Sequence, residues 1–270
     1  MKNSQPLLVF VTGGSEGIGK AIATAFLMRR AHVIIFSRSH DKLHAALADL
    51  EALRTHPQQK ILAHPLDVTE ERQTDAMMHT MIAAHGTPDY VINCAGYARP
   101  GFLPDLSLDH YRAMMELNYF GTVHVCKAIV PPLMQARKGH IVNTASIAGF
   151  MGLFGYTGYC ASKYAVVGFS EALRRELEPY GVHVSVLCPP NTRTPGLEEE
   201  NKHKPAEVLH TEEKVRTVDP DWVARGLLKG LAHNRFCIIP TRDGKLAHVL
   251  SRFTPRLLHQ FVKRRAAPTL

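Results

Sequence analysis

Short apolar runs rich in β-branched residues alternate along the chain with longer stretches whose apolar residues recur every three or four positions. The runs are LLVFVT (Leu7–Thr12), HVIIFS (His32–Ser37), ILAHPL (Ile61–Leu66), YVINC (Tyr90–Cys94), HIVNTAS (His140–Ser146), VHVSVLC (Val182–Cys188) and FCIIP (Phe236–Pro240). They read as strands. Segments between them, such as DKLHAALADLEAL and GFSEALRRELEPYG, carry the helical period. Seven strands alternating with six helical connections imply βαβ units, and so a mostly parallel sheet with helices on both faces and right-handed crossovers. No linker, repeat or low-complexity tract interrupts this pattern. The expected fold class is α/β, a single doubly wound domain over residues 1–240 built on a seven-stranded sheet.

Two stretches depart from the alternation. Residues 191–220, NTRTPGLEEENKHKPAEVLHTEEKVRTVDP, are long for a connection in a compact domain. At the carboxyl edge of an α/β sheet such a stretch is expected to act as a lid or substrate loop. Residues 241–270 mix Leu, Phe and Val with basic residues and read as a basic amphipathic helical extension. That pattern suits either an anionic membrane surface or a docked terminal helix with a solvated basic face.

Composition narrows the picture. With 270 residues and 45% hydrophobic content, the chain can bury one large core or two small ones. The 21% of charged residues argues against wholesale disorder. Cys94, Cys126, Cys160, Cys188 and Cys237 are scattered with no C-x-x-C pair. This speaks for a reducing compartment and against a disulfide framework or a metal cluster. The opening MKNSQPLLVFVTGG carries no secretory signal, and no apolar run reaches bilayer length, so a cytoplasmic protein is expected. The net charge is +8, but residues 240–270 hold seven Lys/Arg against Asp243 alone, a formal +6. The body is near neutral, which does not fit a nucleic-acid-binding surface.

The first strand runs into VTGGSEGIG and then into a helical pattern. Gly13, Gly17 and Gly19 form a G-x-x-x-G-x-G pattern. Such glycines let the backbone turn tightly and approach a pyrophosphate at the helix N-terminus, in a Rossmann-like arrangement. Ser15, Glu16 and Ile18 share the loop and are counted with it as cofactor contacts. A glycine-rich turn without a ligand is the plainer alternative. After the second strand, where an Asp or Glu would accept from an NAD ribose, stand Ser37 and Arg38. An acid would repel a 2′-phosphate, whereas Arg38, with Lys42 as a weaker second candidate, can pair with one. NADP(H) is therefore expected over NAD(H), slightly tempered by Glu16.

Tyr159 alone among the eight tyrosines has a lysine, Lys163, four residues later. On a helix that spacing puts both side chains on one face. Ser146 ends a strand thirteen residues before Tyr159, at the carboxyl edge of the sheet. By itself the Tyr–Lys pair could be a chance neighbour on a solvated helix. In order along the chain, however, TGGSEGIG (Thr12–Gly19), LDVT (Leu66–Thr69), NCAG (Asn93–Gly96), ELNYFGTV with Asn118, NTAS with Ser146 and YCASK (Tyr159–Lys163) resemble the motifs of the short-chain dehydrogenase/reductase family.

The resemblance implies a catalytic tetrad of Asn118, Ser146, Tyr159 and Lys163. Tyr159 would be the proton donor, its pKa lowered by Lys163 and an oxidised nicotinamide. Ser146 would hold the carbonyl oxygen, Lys163 would also bind the nicotinamide ribose, and Asn118 would kink its helix and hold a water. The resemblance also carries over Asp67 and Val68 as adenine contacts. Asn93, Ala95 and Gly96 become the segment beside the adenine ribose, with Pro189, Thr192 and Thr194 as further cofactor contacts. Where the family has Pro-Gly, this chain has Pro189-Pro190, a stiffer turn. The family is usually dimeric or tetrameric, so a homodimer or homotetramer is implied.

Within that family, PPNTRTPGLEEENKHKP (Pro189–Pro205) and VDPDWVARGLLKGLAHNRFCIIP resemble the corresponding segments of 3-ketodihydrosphingosine reductases. This implies a long-chain lipid ketone as substrate, reduced with NADPH. Reduction of another hydrophobic carbonyl, a steroid or retinoid, is the alternative; a non-enzymatic dinucleotide sensor on the same fold is a third. An amino ketone carries an ammonium that Glu198, Glu199 or Glu200 could meet. Phe150, Met151, Leu153 and Phe154 follow the catalytic serine and could line a greasy entrance or fill the core. Eukaryotic members of that group carry a hydrophobic segment before the nucleotide fold, which this chain lacks. A soluble or peripheral form is therefore expected.

Overall fold

The structure, a computed structural model, describes residues 6–213 and 215–256. Its strands are β1 (Leu8–Thr12), β2 (His32–Ser37), β3 (Ile61–Pro65), β4 (Tyr90–Asn93), β5 (His140–Thr144), β6 (His183–Leu187) and β7 (Cys237–Ile238). They form one sheet in the order β3-β2-β1-β4-β5-β6-β7. Every neighbouring pair is parallel, so the sheet is wholly and not just mostly parallel. The order reverses between β1 and β4, and the carboxyl ends of those strands open the crevice where an α/β sheet binds ligands.

The connecting helices are α1 (Gly17–Leu27), α2 (His40–Ala52), α3 (Glu71–His85), α4 (Leu108–Met115), α5 (Gly121–Ala136), α6 (Thr157–Leu177), α7 (Pro195–Asn201), α8 (Ala206–Glu212), α9 (Pro220–Leu231) and α10 (Arg242–Phe253). Alternation along β1 sorts the core into two layers. Val9 and Val11 point to one face with Ile22 and Phe26 of α1, Leu50 of α2 and Leu227 of α9. Leu8 and Phe10 point to the other, against Met78 of α3, Ile129 of α5 and Leu177 of α6. A strand sandwiched in this way must be apolar on both sides, hence the unbroken run LVFVT. Each fully buried side chain of this size contributes about 1.5–3 kcal/mol. Truncating Phe10 to Ala would cost about 3–5 kcal/mol.

Two expected elements differ in extent. The last strand shrinks to Cys237–Ile238, paired with Val186 and Leu187. Pro189-Pro190 follows β6 and has no N–H to extend the ladder. Residues 191–220 are not a bare loop but carry α7 and α8. Thr194 caps α7 by accepting from the Leu197 amide at 3.1 Å, and Pro195 begins that helix. α10 starts at a Thr241 cap and packs its buried Gly244 against Ile239. α10 lies within the stretch expected as a helical extension, and residues 257–270 of that stretch lie outside the described residues. Among the described residues no helix is long and apolar enough to cross a membrane.

Candidate active site

A single cleft of about 1810 Å³ follows the carboxyl edge of the sheet. One half is made of backbone. Gly13 (φ +65°) ends β1, and a Cβ there would sit 2.7 Å from the Ala95 amide nitrogen. A Cβ on Gly19 would sit 2.1 Å from the Gly13 carbonyl oxygen. Only glycine lets loop, strand end and helix approach this closely. Glu16 precedes α1 in extended conformation, and no side chain caps that helix. The first amides of α1 therefore stay available at the cleft wall, and the cradle fits a dinucleotide pyrophosphate.

Ser15 and Ser37 meet at 2.9 Å between hydroxyls, tying the loop to the end of β2. Arg38 projects beyond, with 73% of its side chain exposed and its guanidinium 3.6 Å from Asp67. Lys42 lies 2.8 Å from Glu16, so the acid of the loop is already neutralised. Asp67 accepts from the Thr69 hydroxyl at 2.7 Å and the Thr69 amide at 3.0 Å. Burial pushes its carboxyl up, but these bonds and Arg38 outweigh burial and hold it below the usual range. Val68 is buried beneath Gly121, while Ile18, Ala95 and Gly96 line the cleft.

Two expected site residues do not face the cleft. Asn93 turns inside the sheet and donates to Asn143 Oδ1 at 2.9 Å. Its contribution is to hold β4 to β5, and only the backbone that follows reaches the cleft. Asn118 is buried in a π-helical segment, Glu116–Phe120, that joins α4 to α5. Its amide accepts from the Tyr97 N–H and donates to the Tyr97 carbonyl, both at 3.0 Å, and also donates to Ser162 at 2.9 Å. A Cβ on Gly96 would fall 2.8 Å from Asn118 Oδ1 and 3.3 Å from Lys163 Nζ. The extra residue of the π turn aims Asn118 at that narrow gap.

The other half of the cleft converges on Tyr159. Ser146 follows β5 and opens a 3₁₀ turn, its hydroxyl accepting from the Ala148 amide at 3.2 Å. Tyr159 and Lys163 lie one turn apart on α6, with the ammonium 5.6 Å from the ring centroid. Lys163 is buried and donates to the Thr144 carbonyl at 3.0 Å. Burial lowers its pKa to about 8. Burial first, then the charge of Glu200, raise the Tyr159 phenol above the ordinary value, and a hydrogen bond with Ser146 works against them. Lys163, engaged with Thr144, does not by itself lower it.

After β6, Pro189, Thr192 and Thr194 line the cleft as expected. Both hydroxyls also have internal tasks. Thr192 donates to the Pro190 carbonyl at 2.8 Å, and Thr194 caps α7. The apolar wall contains Met151, Leu153 and Phe154, and Leu246 and Leu250 of α10.

A cluster around Tyr156 is poorly marked in the sequence. The Tyr156 hydroxyl lies 2.6 Å from Glu200 and 2.8 Å from Glu212. Lys204 bridges the two carboxylates, 2.6 Å from Glu212 and 3.2 Å from Glu200. Glu200 and Lys204 stand at i,i+4 spacing, a signal the sequence carries; Glu212 has no such signal, because only the turn between α7 and α8 brings it there.

A doubly wound sheet, a glycine cradle at its switch point and a Ser–Tyr–Lys constellation beside it define a dinucleotide-dependent oxidoreductase. The chain belongs to the short-chain dehydrogenase family, whose profile matches residues 7–205. Enzymes of this family use nicotinamide dinucleotides. The chain is 37% identical over 247 residues to 3-ketodihydrosphingosine reductase of Mus musculus, covering 91% of this chain and 74% of that protein. It is 36% identical over 244 residues to 3-dehydrosphinganine reductase of Danio rerio, covering 90% and 74%. Among solved structures, a short-chain dehydrogenase from Streptomyces avermitilis superposes with a TM-score of 0.79 at 25% identity, covering 98% of this chain and all (100%) of that one.

Proposed function

We propose that the protein reduces the 3-keto group of 3-ketodihydrosphingosine to dihydrosphingosine with NADPH, a step of sphingolipid synthesis. The observation that carries this reading is one continuous cleft. It joins the glycine cradle, the Ser146–Tyr159–Lys163 constellation and an apolar wall, in a chain 34–37% identical over about nine-tenths of its length to reductases of that name.

The bound dinucleotide supplies the hydride. Gly13, Ser15, Gly17 and Gly19 hold its pyrophosphate, Asp67 and Ala95–Gly96 flank its adenosine, and Lys163 orients its nicotinamide ribose. Arg38 and Lys42 take the 2′-phosphate, where an acid would exclude it. Ser146 donates a hydrogen bond to the substrate oxygen and stabilises negative charge as it develops there. Tyr159 then delivers its phenolic proton to that oxygen. Asn118 acts one layer behind, holding the Tyr97 backbone and Ser162 so that Gly96 stays closed against Lys163.

Residues 191–220 act as the substrate loop over the reacting ketone. Val249 and Phe253 of α10 are exposed, as is Leu246 at the cleft, and with Lys245 and Arg252 on the same helix they make a surface suited to peripheral contact with an anionic bilayer. The test is NADPH consumption on 3-ketodihydrosphingosine with identification of the product, run beside steroid and retinoid ketones. Dihydrosphingosine as the product of the fastest reaction supports the reading; faster turnover of a steroid or retinoid ketone overturns it.

A further inference from the structure

We propose that Glu200, with Tyr156 and Glu212 behind it, is the specificity-determining subsite for the substrate's ammonium group. The inference rests on the amino-ketone reading above and deepens it.

One wall of the cleft gathers two carboxylates around a single buried ammonium. Glu200, Glu212 and Tyr156 line it. Lys204 stands behind them with 1% of its side chain exposed, against 18% for Glu200 and 19% for Glu212. Two carboxylates thus share one ammonium, leaving one negative charge uncompensated. Hydrogen atoms give the same result. The phenol of Tyr156 has one proton, yet its oxygen lies 2.6 Å from one carboxylate and 2.8 Å from the other. It can donate to only one of them at a time. Asn191 donates to Glu212 at 3.2 Å, on the oxygen that Lys204 already holds. Among the described residues no donor reaches the second oxygen of Glu200. Among the described residues Lys204 is the one cation in contact with either carboxylate, and the place for a second is beside Glu200.

The position matches the chemistry. In 3-ketodihydrosphingosine the amine sits on the carbon next to the ketone, so its ammonium must lie near the acid that protonates the ketone oxygen. The Tyr156 and Tyr159 rings are 6.0 Å apart, and Glu200 is close enough to Tyr159 to act on its phenol. An ammonium placed at Glu200 completes the charge balance of the wall and removes a negative charge that opposes ionisation of Tyr159. The neighbouring Glu199 does not compete for this role, since it is engaged by Lys202 at 2.6 Å and His203 at 3.4 Å.

The experiment compares kcat/KM of the full-length enzyme with NADPH for 3-ketodihydrosphingosine, its des-amino analogue of equal chain length and its N-acetyl derivative. The wild type is expected to favour the amino ketone over both neutral ketones by about ten- to hundredfold, the worth of one charge-assisted hydrogen bond. Glu200→Gln should bring that ratio to within about threefold of one, and Glu200→Asp should recover part of it. Glu200→Gln leaves Lys204 and Glu212 as a balanced pair, so its melting temperature should stay near that of the wild type. A wild-type ratio near one, or a Glu200→Gln ratio equal to the wild type's, overturns the inference while the ketone reduction stands. The wild-type comparison decides even if the variant does not fold. Reduction of none of the three ketones overturns the substrate reading, and this one with it.

Discussion

The two halves of the cleft are built in different ways. The pyrophosphate cradle of the dinucleotide half is nearly all backbone, namely a strand end, glycines and an uncapped helix terminus, and its residues 13–19 are neighbours in the chain. The substrate half is made of side chains from the start of α6 and from α7, α8 and α10, and its contacts reach far along the chain, as with Tyr156 and Glu200 (separation 44) and Tyr156 and Glu212 (56). A pyrophosphate is recognised by amides that any sequence possesses, so the first half needs only a backbone shape. A particular ketone needs particular side chains, so the second half varies with the substrate.

The widest separation of the halves is expected from Tyr159→Phe. Losing the general acid should lower carbonyl-dependent NADPH oxidation by about 10²-fold or more, while NADPH binding, read by fluorescence titration, stays within about threefold. Equal loss of both would break the division. Next comes Arg38→Asp, which should weaken NADPH by about ten- to hundredfold and NADH far less, because a charge-assisted pair becomes a like-charge clash. The same shift in both KM values would remove the 2′-phosphate from the argument.

Gly13→Ala forces a Cβ to 2.7 Å from the Ala95 amide nitrogen at a φ of +65°. Such strain costs about 1–3 kcal/mol. Thermal melting should show the loss, and dinucleotide affinity should fall by about tenfold. An alanine variant with wild-type affinity would mean that close approach of the backbone is dispensable. Tyr156→Phe acts on the other half. It should raise KM for the lipid ketone a few-fold and cost about 1–2 kcal/mol of stability, by removing the one proton that the two carboxylates share, with NADPH binding unaffected.

The smallest effect is one of pH. Burial lowers the Lys163 pKa to about 8 in the dinucleotide-free protein. Below that pH the folded protein bears a buried charge that the unfolded chain solvates freely. As pH rises from about 8 towards the ordinary lysine value of about 10.4, the unfolded state binds the extra proton, and this group's contribution to stability rises. The difference in unfolding free energy between wild type and Lys163→Met across that window reads the effect, and NMR titration of the lysine Cε signals reads the pKa directly. A midpoint above 10 would contradict the burial argument.

Much of this was legible in the sequence because it is local. LVFVT alternates two faces of apolar residues, and Gly13, Gly17 and Gly19 mark where the chain must turn. Tyr159 and Lys163 share a helix face by spacing alone. Two asparagines show where that reading stops. Asn93 and Asn118 occupy motif positions, yet Asn93 is spent on Asn143 and Asn118 on Tyr97 and Ser162. The orientation of a side chain depends on partners across the sheet or on another helix. The acidic run Glu198–Glu200 likewise offered three equivalent carboxylates, and packing tells two of them apart: Glu199 stays with surface cations while Glu200 turns to Tyr156 and Lys204.

What the sequence alone determined was the parallel doubly wound sheet, the cradle for a dinucleotide, and the tyrosine with a lysine one turn on. Each follows from hydrophobic period, glycine conformation or helical spacing, which act over a few residues. Only the tertiary structure decided which acids reach the cleft, how Lys204 is buried between two of them, and that burial and Glu200 push the Tyr159 phenol pKa up. Those outcomes depend on electrostatic sums and desolvation over groups far apart in the chain, and such sums have values only once distances exist.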